Sequence, residues 1–536
     1  MPTFKIDDRE IPFEAGETII RAAQKAGIDI PHYCWHAGLS IAANCRMCLV
    51  EIMPPPGRPA MLLDVLAWDK DKQEYLPQKK PKLVPSCQQA AAEGMVVKSQ
   101  TSEHVDTARA AVQELLLLNH PVDCPICDQA GECRLQDYWL EHSGTKKRMR
   151  DEPVHKPKAV VFGPTIVYDA ERCIVCTRCV RVSEELAKDP VLSVRERGNL
   201  NEIVVAPGRQ LDHPYTLMTE YVCPVGALTS IDFRFKARVW FLRSTRSVCT
   251  GCATGCNSFS DFDPRNQKVY RYRPRENLAV NKFWMCDDGM LDHRRIHEGR
   301  VLEARVAGQP NPLPSALAKA AEILRTASPD STAIVLSAEH SNEDNFALLS
   351  LAKAFGFSGV YQSGRPAGQG DDILRHPDKN PNTAGIAGLG KAAGLKTFVE
   401  FVEAIRAGKA QTVIALGSAT PTGGGAAALS DVKNLISIAT HEGAFPERAR
   451  VVLPASSWAE ADGTFVNAKG MAQESEKVIT PQGASKPAFR LIGELAAAAG
   501  KPLAWKKLAD LRAAMAPPAR SSVAASDESS ASLGAE

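Results

Sequence analysis

The cysteines constrain this chain more than any other feature. All fifteen, at positions 34, 45, 48, 87, 124, 127, 133, 173, 176, 179, 223, 249, 252, 256 and 286, lie in the first 286 of its 536 residues. An odd number clustered at x2 and x3 spacings, with no secretory signal in view, argues against a disulfide scaffold. Metal or cluster ligation is the reading that fits.

The groups differ in spacing. Cys34, Cys45, Cys48 and Cys87 stand at x10, x2 and x38, the order of plant-type 2Fe–2S ferredoxins with a longer first loop. A zinc ribbon would more often show two CxxC pairs, and only one is present here. The stretch HPVDCPICDQAGEC places His120 beside Cys124, Cys127 and Cys133. By itself it suits either a Cys3His zinc site or an iron–sulfur cluster. Pro121 disfavours the α conformation at His120, so the helix predicted over 101–119 should end there and aim the imidazole at the cysteine loop. Cys173, Cys176 and Cys179 follow at successive x2 spacings, as in bacterial 4Fe–4S ferredoxins, with Cys223-Pro224 as the remote fourth ligand. Arg172, Arg178 and Arg181 alongside would raise that cluster's potential if they are not simply solvated. Cys249, Cys252, Cys256 and Cys286 form a last quartet, and Gly251 and Gly255 would allow its tight loop. The cysteines thus divide into three quartets and a triplet, and His120 completes the triplet. Zinc at four independent sites would not require the ferredoxin-like spacings at 34–48 and 173–179.

Elsewhere the chain reads as ordinary globular protein. Thr3–Ile6 and Ile11–Phe13 alternate around Asp7-Asp8 as a hairpin, and Thr18–Ala26 reads as a helix stopped by Gly27. Pro54–Pro59 and Asp69–Lys82 look like a surface excursion. The helix over 101–119 should bury Val105, Ala108, Val112, Leu115 and Leu116. Thr332–Ser337, Gln411–Gly417 and Asn434–Ala439 read as buried strands of a parallel sheet, with Ser341–Phe355 as a helix. Gly423–Gly425 lacks the rest of a P-loop and reads as a loop. Residues 517–536 have the composition of a disordered tail. Net charge is +2 with both signs dispersed, which argues against a nucleic-acid partner or a polybasic membrane surface. No apolar run approaches the roughly eighteen residues of a membrane span.

HPVDCPICDQAGEC, ERCIVCTRCVR, the CxxCxxxC quartet and the segment RVVLPASSWAE-ADGTFVNAKG ending at Gly470 together resemble the large iron–sulfur subunit of respiratory complex I. The resemblance implies an α/β and α+β multidomain chain. It implies a β-grasp 2Fe–2S ferredoxin-type domain at 1–98, a His(Cys)3-ligated 4Fe–4S domain at 99–140 and a ferredoxin-like 4Fe–4S domain at 141–240. A Mo/W bis-MGD-type 4Fe–4S domain at 241–298 and a molybdopterin-oxidoreductase-like α/β domain at 299–516 would follow. By the same resemblance Cys34, Cys45, Cys48 and Cys87 would hold 2Fe–2S. The three sets His120/Cys124/Cys127/Cys133, Cys173/Cys176/Cys179/Cys223 and Cys249/Cys252/Cys256/Cys286 would each hold 4Fe–4S, the last lying off the electron route. No bound molybdopterin is expected in the last domain, which is short for the family. Expected partners are the flavin-bearing NADH-oxidising subunit and quinone-side iron–sulfur subunits. The expected place is the cytoplasmic face of a bacterial inner membrane, reached through those partners. The x38 interval before Cys87 exceeds the family's usual spacing and implies an insertion.

Three rival functions fit less well. A catalytic hydrogenase subunit needs further cysteines, and none follows Cys286. A formate-dehydrogenase-like molybdoenzyme normally needs a metal-ligating cysteine or selenocysteine in the same region. A zinc-stabilised scaffold is separated by its metal and sulfide content. The expected chemistry is one-electron relay, with no general acid, nucleophile or substrate-converting site.

Overall fold

The computed structural model describes residues 1–143 and 148–515, and the chain folds as two units divided between Trp240 and Phe241. The expected disordered tail lies outside the described residues.

The first unit begins with the predicted hairpin, Thr3–Ile6 against Arg9–Pro12, turned by Asp7 and Asp8 at positive φ. The hairpin extends into a five-stranded sheet in the order 9–12, 3–6, 96–98, 49–53, 83–85. The strand at 96–98 runs parallel to 3–6 and antiparallel to 49–53. Helix Ile19–Lys25 ends before Gly27, whose φ of +68° suits a residue without Cβ. It buries Ile19, Ile20 and Ala23 with Phe4, Ile6, Val50 and Val97. This is the β-grasp arrangement.

The excursion before Cys87 is a second hairpin, Leu62–Asp69 against Glu74–Pro81, in register from Leu62↔Pro81 to Asp69↔Glu74. Among the described residues it pairs with no further strand. Leu66, Trp68 and Tyr75 stand exposed on it.

Helix Glu103–Leu117 starts on the Ser102 side chain, which accepts from Val105 N–H. Its buried residues bear out the sequence expectation at Val105 and correct it elsewhere. They are Val105, Arg109 and Gln113, one turn apart, whereas Leu115 is 68% exposed. The helix packs on a sheet margin that offers carbonyls and a phenol. Arg109 donates to Ser99 O at 2.8 Å and to Leu49 O at 3.4 Å, and Gln113 accepts from the Tyr33 hydroxyl at 2.9 Å. These bonds offset part of the cost of burying the two side chains, although Arg109 Nε and Gln113 Nε2 stay buried without a partner.

The second unit opens with a three-stranded antiparallel sheet, Arg243–Val248, Asn257–Asp263 and Lys268–Pro274. A seven-stranded sheet follows in the order 309–311, 304–306, 451–454, 434–439, 412–416, 332–337, 359–363, its last five strands parallel. The continuous apolar runs follow from burial on both faces. Ile334, Leu336, Ile414, Leu416, Ile436 and Ile438 feed one core, and their neighbours Ala333, Val335, Val413, Ala415 and Leu435 feed the other. Gly423–Gly425 is not a loop but the start of the short helix Gly423–Ala428. Gly425 lies under the Phe398 ring, where a Cβ would approach to 2.2 Å, so its glycine serves packing.

Candidate metal centres

In the first quartet the thiols act on one another in pairs, Cys34 with Cys45 and Cys48 with Cys87, which lowers Cys34 and Cys48 and raises Cys45 and Cys87. Cys34 N–H also points at Cys45 Sγ, 3.5 Å away. Arg46 lies between two ligands at φ +61°, a conformation that tightens the loop.

At the second set, Cys124–Ile126 forms a single 3-10 turn and Cys133 caps helix Arg134–His142. Burial raises Cys127, and pushes Cys133 up to about 11. His120 is lowered to about 4, first by burial and then by the nearby Arg172 guanidinium. It is therefore a neutral imidazole at neutral pH, the form that ligates metal. Its Nδ1 is buried without a hydrogen-bond partner. Among the described residues no hydrogen bond joins His120 Nδ1 to the three sulfurs. What they share is Arg172, which pairs with Asp123 at 3.0 Å and Asp169 at 3.3 Å and lies electrostatically close to both His120 and Cys127.

Cys173, Cys176, Cys179 and Cys223 line one apolar cavity with Tyr168, Ile203, Val225 and Leu228. Burial pushes Cys173 up to about 11, and Cys179 and Cys223 further. Val175 and Thr177, on either side of Cys176, sit at φ +51° and +61°. Left-handed backbone at β-branched residues costs about 1–3 kcal/mol each and marks a functional loop. Here it turns Val175 N–H toward Cys173 Sγ at 3.3 Å.

The fourth quartet sits in the second unit. Cys249, Cys252, Cys256 and Cys286 are electrostatic neighbours, and burial drives Cys249 and Cys256 well above the usual thiol range and Cys286 up to about 12. Gly251 N–H and Gly289 N–H point at Cys249 Sγ and Cys286 Sγ, at 3.4 and 3.3 Å. Of the two glycines expected to shape the loop, Gly255 takes a positive φ (+60°) and Gly251 does not. Gly255 O accepts from Gln473 Nε2 at 2.8 Å, and Ala253 O from Ala468 N–H at 2.7 Å. The segment 461–473 thus braces a loop some two hundred residues earlier.

Among the described residues, no group of three or more His, Cys, Asp or Glu side chains is set to hold a single metal ion. The donor chemistry fits a larger cationic core. Buried thiols held protonated by desolvation ionise when iron supplies the charge. Backbone N–H groups aimed at sulfur are the bonds that tune iron–sulfur potentials.

One feature escaped the sequence reading. A Cβ on Gly226 would lie 2.2 Å from Cys127 Sγ. The segment Cys223–Gly226 therefore serves one quartet with its thiol and packs against the neighbouring set with its glycine. Pro224 O accepts from Arg134 N–H at 3.2 Å, beside Cys133. The arginines singled out in the sequence, Arg172, Arg178 and Arg181, are 6%, 9% and 8% exposed, so none is a solvated surface cation.

A polar cavity opens at the carboxyl ends of the parallel strands, lined by Glu339, His340, Arg365, His441, Ser456 and Ser457 among others. No cysteine lines it, which does not fit the thiolate-ligated metal of the molybdoenzyme rival.

Four stretches match known families. These are the 2Fe-2S iron-sulfur cluster binding domain (1–102), the NADH-ubiquinone oxidoreductase-G iron-sulfur binding region (109–148), the ferredoxin-like domain of NADH-quinone oxidoreductase subunit 3 (163–229) and molybdopterin oxidoreductase (318–498). The G subunit of NADH-quinone oxidoreductase from Streptomyces coelicolor is 35% identical over 358 residues, covering 66% of this chain and 39% of its own. The NADH dehydrogenase (ubiquinone) iron-sulfur protein 1 of Solanum tuberosum mitochondria is 33% identical over 390 residues, 71% and 48% of the two chains. This chain is a relative of the NADH-quinone oxidoreductase G subunit. It spans about a third to a half of the length of the curated relatives it matches. Among solved structures, a chain of an NAD+-reducing NiFe-hydrogenase shares 29% identity over 44% of this chain and 91% of its own, with a TM-score of 0.36.

Proposed function

We propose that this chain is the iron–sulfur relay subunit of an NADH:quinone oxidoreductase, respiratory complex I, carrying one 2Fe–2S and three 4Fe–4S clusters. Cys34, Cys45, Cys48 and Cys87 hold the 2Fe–2S cluster. His120 with Cys124, Cys127 and Cys133, then Cys173, Cys176, Cys179 and Cys223, then Cys249, Cys252, Cys256 and Cys286, hold the 4Fe–4S clusters. When bound, they supply reversible one-electron chemistry at iron.

The observation that carries this reading is the shared wall at Cys223–Gly226, which serves one set of ligands with its thiol and touches the next with its glycine. Independent structural metals have no need of a common wall, whereas electron tunnelling falls steeply with distance and does. The chain's own part is to hold each ligand set, exclude water with residues such as Tyr168 and Ile203, and set potentials through N–H···S bonds and buried charge. Electrons enter from a flavin-bearing NADH-oxidising partner and leave toward quinone through other iron–sulfur subunits, and those partners hold the chain at the cytoplasmic face of a bacterial inner membrane. The domain boundaries at 98, 140, 240 and 298 follow the ligand sets, and the last domain serves as scaffold without molybdopterin.

Iron and acid-labile sulfide analysis with redox-titrated EPR tests the proposal. About 14 iron atoms per chain and four titrating clusters are expected. A purified chain rich in zinc and poor in sulfide would sink it.

A further inference from the structure

Arg178 and Arg181 join the Cys34 and Cys173 quartets in a way that neither local motif requires. Arg181 Nη2 donates to Cys34 O at 2.6 Å and to Cys176 O at 3.3 Å, so one nitrogen bridges the backbone of a ligand from each set. Its Nη1 donates to Ser40 O in the loop after Cys34. Arg178 repeats the pattern one residue away from ligands, from Trp35 O beside Cys34 to Val222 O beside Cys223, the latter at 3.1 Å. Asn44 Nδ2 to Val175 O at 3.3 Å and Ser40 N–H to the Glu185 carboxylate at 2.9 Å brace the same junction.

The charge on these side chains is the informative part. Both guanidiniums donate to backbone carbonyls, and among the described residues no carboxylate pairs with either. Arg172 differs, because Asp123 and Asp169 neutralise it. Arg178 Nε is also buried without a partner. An unpaired buried cation costs several kcal/mol unless an anion compensates it. Among the groups facing this pair are Cys34 and Cys45 of one set and Cys176 of the other, with His32 and His36 beside them, and the thiols are anionic once iron is bound. Two fixed positive charges between two such sites stabilise the more negative, reduced state of both.

Building on the iron–sulfur reading above, we infer that Arg178 and Arg181 form a buried cationic clamp that fixes the spacing of the Cys34 and Cys173 quartets and raises both reduction potentials together. They are positioning residues and touch no substrate.

The test is EPR-monitored redox titration of the full chain, with iron and sulfide counted on the same sample. Arg181→Gln should keep its iron and lower the midpoints of the 2Fe–2S and the adjoining 4Fe–4S signals together, leaving the other two clusters in place. Arg181→Lys should restore much of the shift, because it returns the charge without the fork. If Arg181→Gln loses iron, Arg178→Gln carries the same expectation of paired lowering. Full loading with both midpoints unmoved, or a shift in one signal alone, overturns the clamp. A wild-type chain without iron and sulfide overturns the iron–sulfur reading instead.

Discussion

Gly226→Ala is the smallest change that should remove one cluster site by geometry alone. The added methyl would sit 2.2 Å from Cys127 Sγ and 3.1 Å from Gln129 Cβ. Non-bonded heavy atoms settle at roughly 3.5 Å, so sulfur and methyl must part by about 1.3 Å. Metal–ligand distances tolerate roughly 0.2 Å, so the displacement is about six times what the site can absorb. Retreat of the backbone is blocked, because Leu228–Ser230 pairs with Ile166–Tyr168 two residues downstream and Arg134 N–H holds Pro224 O upstream. Taken up by packing alone, such crowding costs about 1–3 kcal/mol, which a folded domain survives. The expected outcome is a folded chain short of about four iron atoms, with the signal of the His120 set lost and the 2Fe–2S signal intact. Iron analysis, sulfide analysis and low-temperature EPR on one preparation read this directly. A fully loaded Gly226→Ala chain with an unchanged spectrum would refute the shared wall between the two sites.

Two further outcomes are expected. His120→Cys should keep its cluster and lower its midpoint potential, because thiolate adds a negative charge where imidazole had none. An unmoved midpoint would show that His120 is not a ligand. Glu460→Ala should lower the melting temperature of the second unit, since Arg300 and Glu460 pair at 2.6 Å with side chains 1% and 0% exposed. Removing one partner of such a pair costs about 3–5 kcal/mol, and a change within error would mean that Arg300 finds another anion.

Where sequence reading succeeded and failed has a physical pattern. The grouping of Cys173, Cys176 and Cys179 with Cys223 was legible because thiols on one short loop stay together in the fold, and they line one cavity. The strands Thr332–Ser337 and Asn434–Ala439 were legible because a strand covered on both faces must be apolar throughout. The helix face of Glu103–Leu117 was misread because apolarity is a proxy for burial. Arg109 and Gln113 are buried by partners at Leu49, Ser99 and Tyr33 that no local pattern reveals. Gly226 was illegible for a similar reason. Its glycine answers to a sulfur ninety-nine positions earlier, not to a turn of its own. The arginines fell between these cases: proximity to the cysteine run was visible in sequence, but not their reach back to Cys34 and Ser40.

These observations meet in what iron removal should do. The loop Cys173–Cys179 holds Val175 and Thr177 in left-handed backbone, worth about 1–3 kcal/mol of strain each. Beside it, Arg178 and Arg181 are buried without a carboxylate among the described residues, and Cys173, Cys179 and Cys223 are held uncharged by burial. Bound iron offsets all three costs at once, because ligation fixes the loop, ionises the sulfurs and supplies anionic sites for the arginines. Without it the arginines keep only their backbone carbonyl partners among the described residues, so the loop should open. The seven-stranded sheet has no such dependence. Its two cores are built from Ile334, Leu416, Val335, Val413 and their neighbours, none of which is a ligand. Anaerobic chelation followed by hydrogen exchange should therefore abolish protection at the amides of 173–181 and leave 332–337 and 412–416 as slow as before. Protection surviving at 173–181 would mean that the strained loop is stable unaided and needs no compensation from iron.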